Sequence, residues 1–213
     1  MSKKKIFDAK EADAFFHRYE KGQNLEPTKI LADWLESFKK KITKIAEIGC
    51  GNGESLSLLS KTLNADAYGI EPSKLAVRHI SKKFPSIKIT QGFSDKLPFN
   101  DEFFDLVHLG FFLYLVDRSY YLRSISEADR VLKFGGFLSI IDFDTPFQYS
   151  NKYKHKKGVF SHKIDNSKIF QSSGFYSLVN KYNFSLSGKV FDSKINERVS
   201  IQLLFKEPKV FKI

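Results

Sequence analysis

The sequence has 213 residues, 42% hydrophobic and 28% charged, which suits one globular domain with a substantial core. The formal net charge of +11 allows an anionic partner such as a nucleic acid, a sugar nucleotide or a membrane surface, although general lysine enrichment also explains it. The single cysteine, Cys50, excludes an intramolecular disulfide, and the lack of an apolar run of about 18 residues argues against a membrane span.

The first predicted elements are N-terminal helices before residue 44. In "EPTKILADWLESFKKK", Pro27 suits a first-turn position, and apolar residues recur at helical spacing. The apolar face of this helix is formed by Ile30, Leu31, Trp34, Leu35 and Phe38. We expect aromatic residues of this region, namely Phe15, Phe16, Tyr19 and Trp34, to cap a ligand site, although core packing explains Trp34 as well.

Strands and helices then alternate along the chain. Predicted strands are "KIAEIG", "DAYGIE", "SIKITQG", "FDLVHLG" and "FLSIIDF". Predicted helices between them are "NGESLSLLSKTLN", "PSKLAVRHISKKF" and "DRSYYLRSISEADRVLKFGG", the last closed by Gly135 and Gly136. Such alternation indicates βαβ units and a largely parallel sheet covered on both faces.

The pattern loosens after Asp144. Residues 145–168 show no sustained period, and "IFQSSGF" is predicted to form a short helix that ends at Gly174. "YSLVNKYNFSLSG" and "ERVSIQLLFKEP" are predicted to be two late strands. We therefore expect a single domain over 1–213, with N-terminal helices in 1–43, a ligand-binding half in 44–143, and a substrate-side loop and last strands in 144–213.

A glycine-rich turn follows the first predicted strand. In "KIAEIGCGNG", glycines stand at alternate positions, where a backbone can turn sharply and let a ligand approach. The dinucleotide fingerprint G-x-G-x-x-G would need glycine at position 54, where this chain has Glu54, whose carboxylate would repel a pyrophosphate. A nicotinamide oxidoreductase is therefore disfavoured.

Five segments in order resemble the motifs of small bacterial class I S-adenosylmethionine-dependent methyltransferases. They are "EIGCGNG", "GIEPS", "QGFSDKLPF", "FDLVHLGFFLYLVD" and "SEADRVLKFGGFLSI", spread over roughly 46–143. The resemblance implies an α/β, Rossmann-like, doubly wound, seven-stranded sheet, mostly parallel with one antiparallel strand near the C-terminal edge. It also implies S-adenosyl-L-methionine as the cofactor.

The resemblance assigns cofactor-binding roles in the first two segments. The turn glycines would close on the methionine and ribose part of the cofactor; the turn consists of Gly49, Cys50, Gly51 and Gly53 with Asn52. Glu47 would fix this turn and attract the ammonium group, and its alternative role is a buried carboxylate bonded to loop amides. Glu71 would accept both ribose hydroxyls, because a carboxylate offers two acceptor oxygens to a vicinal diol. Pro72 would border the adenine.

The third segment departs from the family pattern. Phe93 stands where the family has an aspartate that bonds the adenine amino group, which leaves that contact in doubt, and Asp95 stands where glutamate is common. The Ser94 backbone N–H would still reach an adenine ring nitrogen. Leu109 and Gly110, at the end of the fourth predicted strand, would line the methionine side through their main chain.

Methyl transfer needs alignment of the acceptor and, for a hydroxyl, removal of its proton. The candidate catalytic residues are Tyr114, Asp142 and His155, each with a structural alternative: packing, loop hydrogen bonding and a solvated loop position, respectively. The fourth predicted strand offers His108 and Leu109 at its end instead of clustered carboxylates, so we expect no metal.

Much of the positive charge lies after the fifth predicted strand. Between Thr145 and Lys189 there are eight lysines against the single acid Asp165, interleaved with aromatic residues. This segment predicts an anionic acceptor, small or glycan-type, methylated at oxygen. The alternatives are a methyltransferase of tRNA or another nucleic acid, and a non-catalytic cofactor-binding protein of the same fold. Because no apolar core follows the basic first residues, we expect no secretory leader, a cytoplasmic location, and a monomer or homodimer.

Overall fold

The structure is a computed structural model that describes residues 7–19, 22, 24–188 and 190–208. Its helices are α1 (Ala9–Tyr19), α2 (Glu26–Glu36), α3 (Glu54–Leu63), α4 (Lys74–Lys83), α5 (Arg118–Val131) and α6 (Ser167–Gln171). Its strands are β1 (Lys44–Ile48), β2 (Asp66–Glu71), β3 (Lys88–Gln91), β4 (Phe104–Gly110), β5 (Leu132–Phe143), β6 (Tyr149–Lys152), β7 (Phe160–Lys163), β8 (Tyr176–Ser185) and β9 (Arg198–Lys206).

Seven of these strands form one sheet in the order β3-β2-β1-β4-β5-β9-β8. The pairs among β1 to β5 are parallel, whereas β9 is antiparallel to both of its neighbours, β5 and β8. β8 therefore runs in the same direction as β5. The predicted fold class, a doubly wound sheet with one antiparallel strand near its C-terminal edge, is confirmed.

Apolar residues on successive strand positions pack on opposite faces of the sheet. In β1, Ile45 belongs to a cluster with Leu31, Leu56 and Leu59 of the helices on one face. Its neighbour Ala46 belongs to a second cluster, which includes residues of α5 on the other face. Both faces of the central strands are thus covered, as a parallel sheet requires. Trp34 packs against the first cluster, so the structure supports core packing for it.

The prediction that Gly135 and Gly136 close a long helix is wrong. The α5 helix ends at Val131, and Leu132 is extended and pairs with Phe104 as the first residue of β5. The β4–β5 register then jumps to Leu106 and Phe137, so the glycines lie in an irregularity within the strand. A Cβ on Gly136 would stand 3.0 Å from a backbone oxygen of β4, which explains the glycine there.

Residues 145–168, which show no sustained period in the sequence, contain the antiparallel hairpin β6–β7. Each strand of this hairpin is four residues long, too short for a readable pattern. Among the described residues, no helix combines the length and the apolar character needed to cross a membrane.

Asp105, near the amino end of β4, connects neighbouring strands at the end of the sheet opposite their carboxyl ends. Its Oδ2 accepts the Thr43 N–H at 2.9 Å, the Thr43 hydroxyl at 2.8 Å and the Lys44 N–H at 2.9 Å. Lys133 donates to its Oδ1 at 2.6 Å, and these hydrogen bonds lower the pKa of Asp105 despite its partial burial. The carboxylate therefore fixes β1 against β4 and β5.

We expect Asp105→Asn to lower the free energy of unfolding by about 1–3 kcal/mol at pH 7, because charged hydrogen bonds are lost. Since the folded-state pKa is lowered, this stabilisation exists above the unfolded pKa near 4 and is lost as the pH falls through the folded value. Urea unfolding at pH 7 and pH 3 measures both effects. Asp66→Asn, at an exposed pair with Lys88, is the control. Equal stability of Asp105→Asn and the wild type at pH 7 would contradict the assignment.

Candidate functional site

A cavity of about 590 Å³ lies at the end of the sheet formed by the carboxyl ends of the parallel strands. Its walls come from the carboxyl ends of β1, β2, β4, β5 and β8, from the loop after β3, and from α1. This is the edge at which open α/β sheets hold ligands, and the volume is in the range of small-molecule sites.

The turn after β1 contains three glycines at positive φ, which a side chain rarely adopts: 75° at Gly49, 54° at Gly51 and 79° at Gly53. The Gly49 N–H donates to the Ile70 carbonyl at 2.8 Å, which folds the turn against β2. A Cβ at Gly49 would lie 2.9 Å from Phe112. The turn is therefore a tight backbone cradle at the cavity wall, followed at once by the amino terminus of α3.

Glu47, the last but one residue of β1, is buried and lines the cavity. Its Oε2 has no hydrogen-bond partner among the described residues. Burial raises the pKa of Glu47 well above its usual value and the nearby Glu71 adds to the rise, while a backbone hydrogen bond from Leu56 opposes it. The Oε2 atom is thus a buried acceptor that lacks a donor.

His108 of β4 stands beside this carboxyl group, with its Nε2 3.9 Å from Glu47 Oε1. Its Nδ1 shares a hydrogen bond of 2.8 Å with Ser139 Oγ on β5. Burial lowers the pKa of His108 to about 4, so the ring is neutral at physiological pH. A neutral imidazole therefore offers no positive charge to Glu47.

Glu71, at the end of β2, holds the turn from its other side. Its Oε2 accepts the Gly51 N–H and its Oε1 accepts the Ser73 N–H, both at 2.9 Å. Burial raises the pKa of Glu71 to about 7, against the lowering effect of these two bonds. Each carboxylate oxygen keeps further acceptor capacity toward the cavity, which Glu71 lines.

Most of the predicted cofactor residues meet at this cavity. Glu47, Gly49, Gly51, Glu71, Pro72, Phe93, Ser94, Asp95 and Gly110 all line it. The Ser94 hydroxyl shares a 2.7 Å hydrogen bond with Ser124 of α5, which fixes the loop after β3. Cys50, Gly53 and Leu109 are not among the lining residues. Cys50 and Leu109 are buried in the core, and Gly53 is the N-cap of α3.

The helix α1 forms the outer wall of the cavity. Phe15, Phe16 and Tyr19 line it, as the sequence predicted, whereas Trp34 does not. At the inner side, Asp13 accepts the Ser73 hydroxyl at 2.6 Å, which ties α1 to the start of α4.

The other side of α1 is tied to the β6–β7 hairpin. Arg18 donates to the Tyr153 hydroxyl at 2.8 Å, and Lys156 to Asp8 at 3.0 Å. The helix is therefore fastened on both sides of the cavity mouth.

The three candidate catalytic residues lie in different places. Tyr114 is in a short 3-10 turn (Leu113–Leu115) after β4 and lines the cavity. Asp142 is buried in β5 but is not a lining residue; its carboxylate accepts the Phe143 N–H at 2.7 Å. His155 is exposed on the β6–β7 loop, where its ring contacts Tyr153 at 5.2 Å between centroids.

These positions support Tyr114 and give no support to His155 as a general base, because the β6–β7 loop places His155 outside the cavity wall. Burial raises the pKa of Asp142 to about 7, while backbone hydrogen bonds from Phe143 and Tyr114 oppose the rise. Asp142 thus holds the turn that carries Tyr114.

Sequence reasoning did not assign a ligand-site role to several lining residues. They are His108, Asp117, Phe184, Ser185 and Leu186. A histidine inside an apolar strand was the available signal for His108. Phe184 to Leu186 reach the cavity because β8 runs parallel to β5, and this follows from the pairing of both strands with β9. Among the described residues, no group of three or more His, Cys, Asp or Glu side chains is placed to hold a metal ion.

In comparison with known families, residues 46–140 match the model described as "Methyltransferase domain". An uncharacterized methyltransferase of Synechocystis is 30% identical over 103 residues, 48% of this chain and 48% of that protein. The demethylmenaquinone methyltransferase of Chlorobaculum tepidum is 33% identical over 101 residues, 46% of this chain and 40% of that protein. The chain thus spans about half or less of the length of these relatives.

Solved structures show the same fold at low identity. A Burkholderia thailandensis 1,6-didemethyltoxoflavin-N1-methyltransferase, with 1,6-didemethyltoxoflavin and S-adenosylhomocysteine bound, superposes with a TM-score of 0.69. It is 10% identical, with 92% of this chain and 87% of that chain covered. A Methanosarcina mazei S-adenosylmethionine-dependent methyltransferase gives a TM-score of 0.63 at 19% identity, over 78% of this chain and 93% of that chain.

We expect Glu47→Gln to raise the melting temperature at pH 8, because it removes a buried carboxyl group whose Oε2 has no donor. An unsatisfied buried polar group costs about 1–3 kcal/mol, and about 1 kcal/mol shifts Tm by roughly 2–4 °C in a domain of this size. Since burial raises the folded-state pKa of Glu47, the wild type loses stability as the pH rises from the unfolded value near 4.3 toward the folded value. The difference in Tm between variant and wild type should therefore grow from pH 5 to pH 8.

Thermal unfolding across this pH range provides the measurement. Glu36→Gln is the matched control, because Glu36 is exposed and paired with Lys39. If the Glu47→Gln protein became less stable than the wild type as the pH rose, the ionised Glu47 would have a stabilising partner, which contradicts this interpretation.

Proposed function

We propose that this chain, whose residues 46–140 belong to the methyltransferase-domain family, is an S-adenosylmethionine-dependent methyltransferase. The observation that carries the proposal is the unpartnered Glu47 Oε2, buried beside the glycine turn and facing the same cavity as Glu71. This arrangement offers one acceptor to an ammonium group and a second carboxylate to a diol.

The described residues fit the parts of this cofactor. Glu47 would bind its ammonium group, and the turn from Gly49 to Gly53 with the amino terminus of α3 would bind its carboxylate. Glu71 would accept the ribose hydroxyls, and Pro72 and Phe93 would flank the adenine. No lysine or arginine is among the described lining residues, which suits a cofactor that carries a sulfonium and an ammonium charge.

When bound, S-adenosylmethionine supplies a methyl group on a sulfonium sulfur, which a nucleophilic acceptor atom takes while the bond's electron pair stays on sulfur. The protein contributes alignment and exclusion of water, and alignment alone can be worth about 7–11 kcal/mol of barrier. Helix α1 covers the cavity, and Tyr114 stands in its wall. Asp142 acts as a positioning residue, because its carboxylate holds the backbone of the Tyr114 turn.

We retain a hydroxyl oxygen as the proposed acceptor atom. A hydroxyl must lose its proton during transfer, and Asp117 lines the cavity three residues after Tyr114. Asp117 is the described carboxylate that we propose for this proton, in place of His155.

The anionic acceptor predicted from the lysine-rich segment finds little support in the cavity. Lys152, Lys154, Lys157 and Lys168 are exposed and outside its lining. The others are engaged elsewhere: Lys156 with Asp8, Lys181 with Asp144 and Asp165, and Lys163 with Asn196. Lys189 lies outside the described residues. The nucleic-acid alternative likewise gains no support from the cavity wall, because none of these described lysines lines it.

Calorimetry with S-adenosylmethionine, S-adenosylhomocysteine and NAD separates the cofactor classes. We expect both sulfur compounds to bind and NAD not to bind. Binding of NAD together with no binding of either sulfur compound at millimolar concentration would overturn the proposal. Binding without turnover of any acceptor would favour the non-catalytic alternative.

We expect Glu71→Ala to weaken S-adenosylhomocysteine binding by about 1–3 kcal/mol, the usual cost of losing a charged hydrogen-bond partner. Because the pKa of Glu71 is about 7, the wild-type affinity should rise between pH 6 and pH 8 as the carboxylate forms and accepts hydroxyl donors. Glu71→Gln should flatten this rise. Asp66→Asn, at the exposed start of the same strand, controls for loss of charge. An unchanged affinity in Glu71→Ala would remove the ribose role.

A further inference from the structure

The cavity is longer than the proposed cofactor site. Glu47, the glycine turn and Glu71 lie at β1 and β2, but the cavity continues past β4 and β5 to the end of β8. Aromatic rings line this far part of the cavity. The residues concerned are Phe15, Tyr19, Phe111, Tyr114, Phe143 and Phe184, which we call the aromatic subsite.

We propose that the aromatic subsite binds the methyl acceptor and that this acceptor is an uncharged aromatic molecule. The inference rests on the proposed function, since it assigns the second substrate of the same cavity. It replaces the anionic acceptor that the lysine-rich segment predicts.

Two ring pairs of the aromatic subsite lie edge to face, an arrangement that presents both edges and faces to a further ring. The Tyr114 ring lies 5.3 Å from the Phe143 ring at 73°, and the Phe111 ring 6.4 Å from it at 83°. On the α1 side, the Phe15 and Tyr19 rings are 4.6 Å apart. A flat apolar ligand between these walls would gain area and ring contacts on both sides.

The charges around the aromatic subsite disfavour an anion. The cation nearest to α1's rings is Arg18, which is paired with Glu11 at 2.6 Å and donates to Tyr153. Lys163 lies behind the wall, with its Nζ 3.9 Å from the Phe143 ring centroid. Arg18 and Arg118 each keep a buried Nε without a partner among the described residues, but neither arginine lines the cavity. A carboxylate or phosphate held by the lining residues would therefore lose its hydration without gaining a cationic partner in the cavity wall. A cationic acceptor is disfavoured for a different reason: it would approach the sulfonium charge of the cofactor.

One polar group in the aromatic subsite can orient a neutral ligand. Among the described residues, no hydrogen bond engages the Tyr114 hydroxyl, although the residue lines the cavity. Burial and the nearby Asp142 raise the pKa of Tyr114, so its hydroxyl stays protonated. It can donate to, or accept from, a single hydroxyl or carbonyl oxygen on an otherwise apolar ring.

Three probes that share one ring system test the charge preference. They are 1-naphthol, 1-naphthoate and 1-naphthylmethylamine, titrated into the full chain with saturating S-adenosylhomocysteine, with ligand-observed NMR or calorimetry as the readout. With S-adenosylhomocysteine we expect 1-naphthol to bind at least ten-fold more tightly than 1-naphthoate. With S-adenosylmethionine in its place, which carries the sulfonium charge, we expect 1-naphthol to bind at least ten-fold more tightly than 1-naphthylmethylamine. Equal or tighter binding of the naphthoate or the amine, or no binding of 1-naphthol up to its solubility limit, would overturn the inference.

Variants locate the binding. Tyr114→Phe should weaken 1-naphthol about five- to ten-fold, and Phe184→Ala at least ten-fold, while both keep their affinity for S-adenosylhomocysteine. Phe147→Ala, an exposed ring outside the cavity, is the control and should change nothing. If 1-naphthol binds equally to Tyr114→Phe, Phe184→Ala and the wild type, its site is elsewhere and the inference fails. Because S-adenosylhomocysteine binding is measured first, its absence would identify failure of the proposed function instead.

Discussion

The candidate site depends on one backbone arrangement, the folding of the turn after β1 against the end of β2. The Gly49 N–H bonds the Ile70 carbonyl, and the Gly51 N–H bonds the Glu71 carboxylate. Both glycines have a positive φ, and a Cβ at Gly49 would also collide with Phe112. This closure puts Glu47 and Glu71 on one cavity wall, at carboxyl ends of adjacent parallel strands.

This arrangement is energetically unfavourable for the two carboxyl groups that it buries. Burial raises the pKa of Glu47 and that of Glu71, and the neutral His108 beside Glu47 gives no compensation. A site that buries two carboxyl groups and leaves Glu47 Oε2 without a donor is unfavourable for stability but prepared for a ligand that carries positive charge and hydroxyl groups. The strongly basic composition of the chain does not predict this local chemistry, because the lysines lie on the outer segments.

The sequence predicted the sheet well, and most of the proposed cofactor residues line one cavity, because local signals dominate in this part of the chain. Glycine spacing after an apolar strand, and acids at the ends of two strands, are readable from "EIGCGNG" and "GIEPS". Gly135 and Gly136 were misread because a glycine pair after a helix looks the same whether it caps the helix or forms a strand irregularity. The aromatic subsite was largely hidden, since Phe184 and Tyr19 are far apart in the chain and meet only through the sheet order and α1. His155 has the kind of side chain that suits a general base, but the adjacent residues in the sequence do not indicate that it lies on the exposed hairpin loop.

A crystal structure of the chain with S-adenosylhomocysteine tests the central claim most directly. We expect the amino group of the ligand to lie within hydrogen-bond distance of Glu47 Oε2, and its ribose hydroxyls to donate to the Glu71 carboxylate. A ligand bound elsewhere, or one in the cavity that leaves Glu47 Oε2 without a donor, would contradict it.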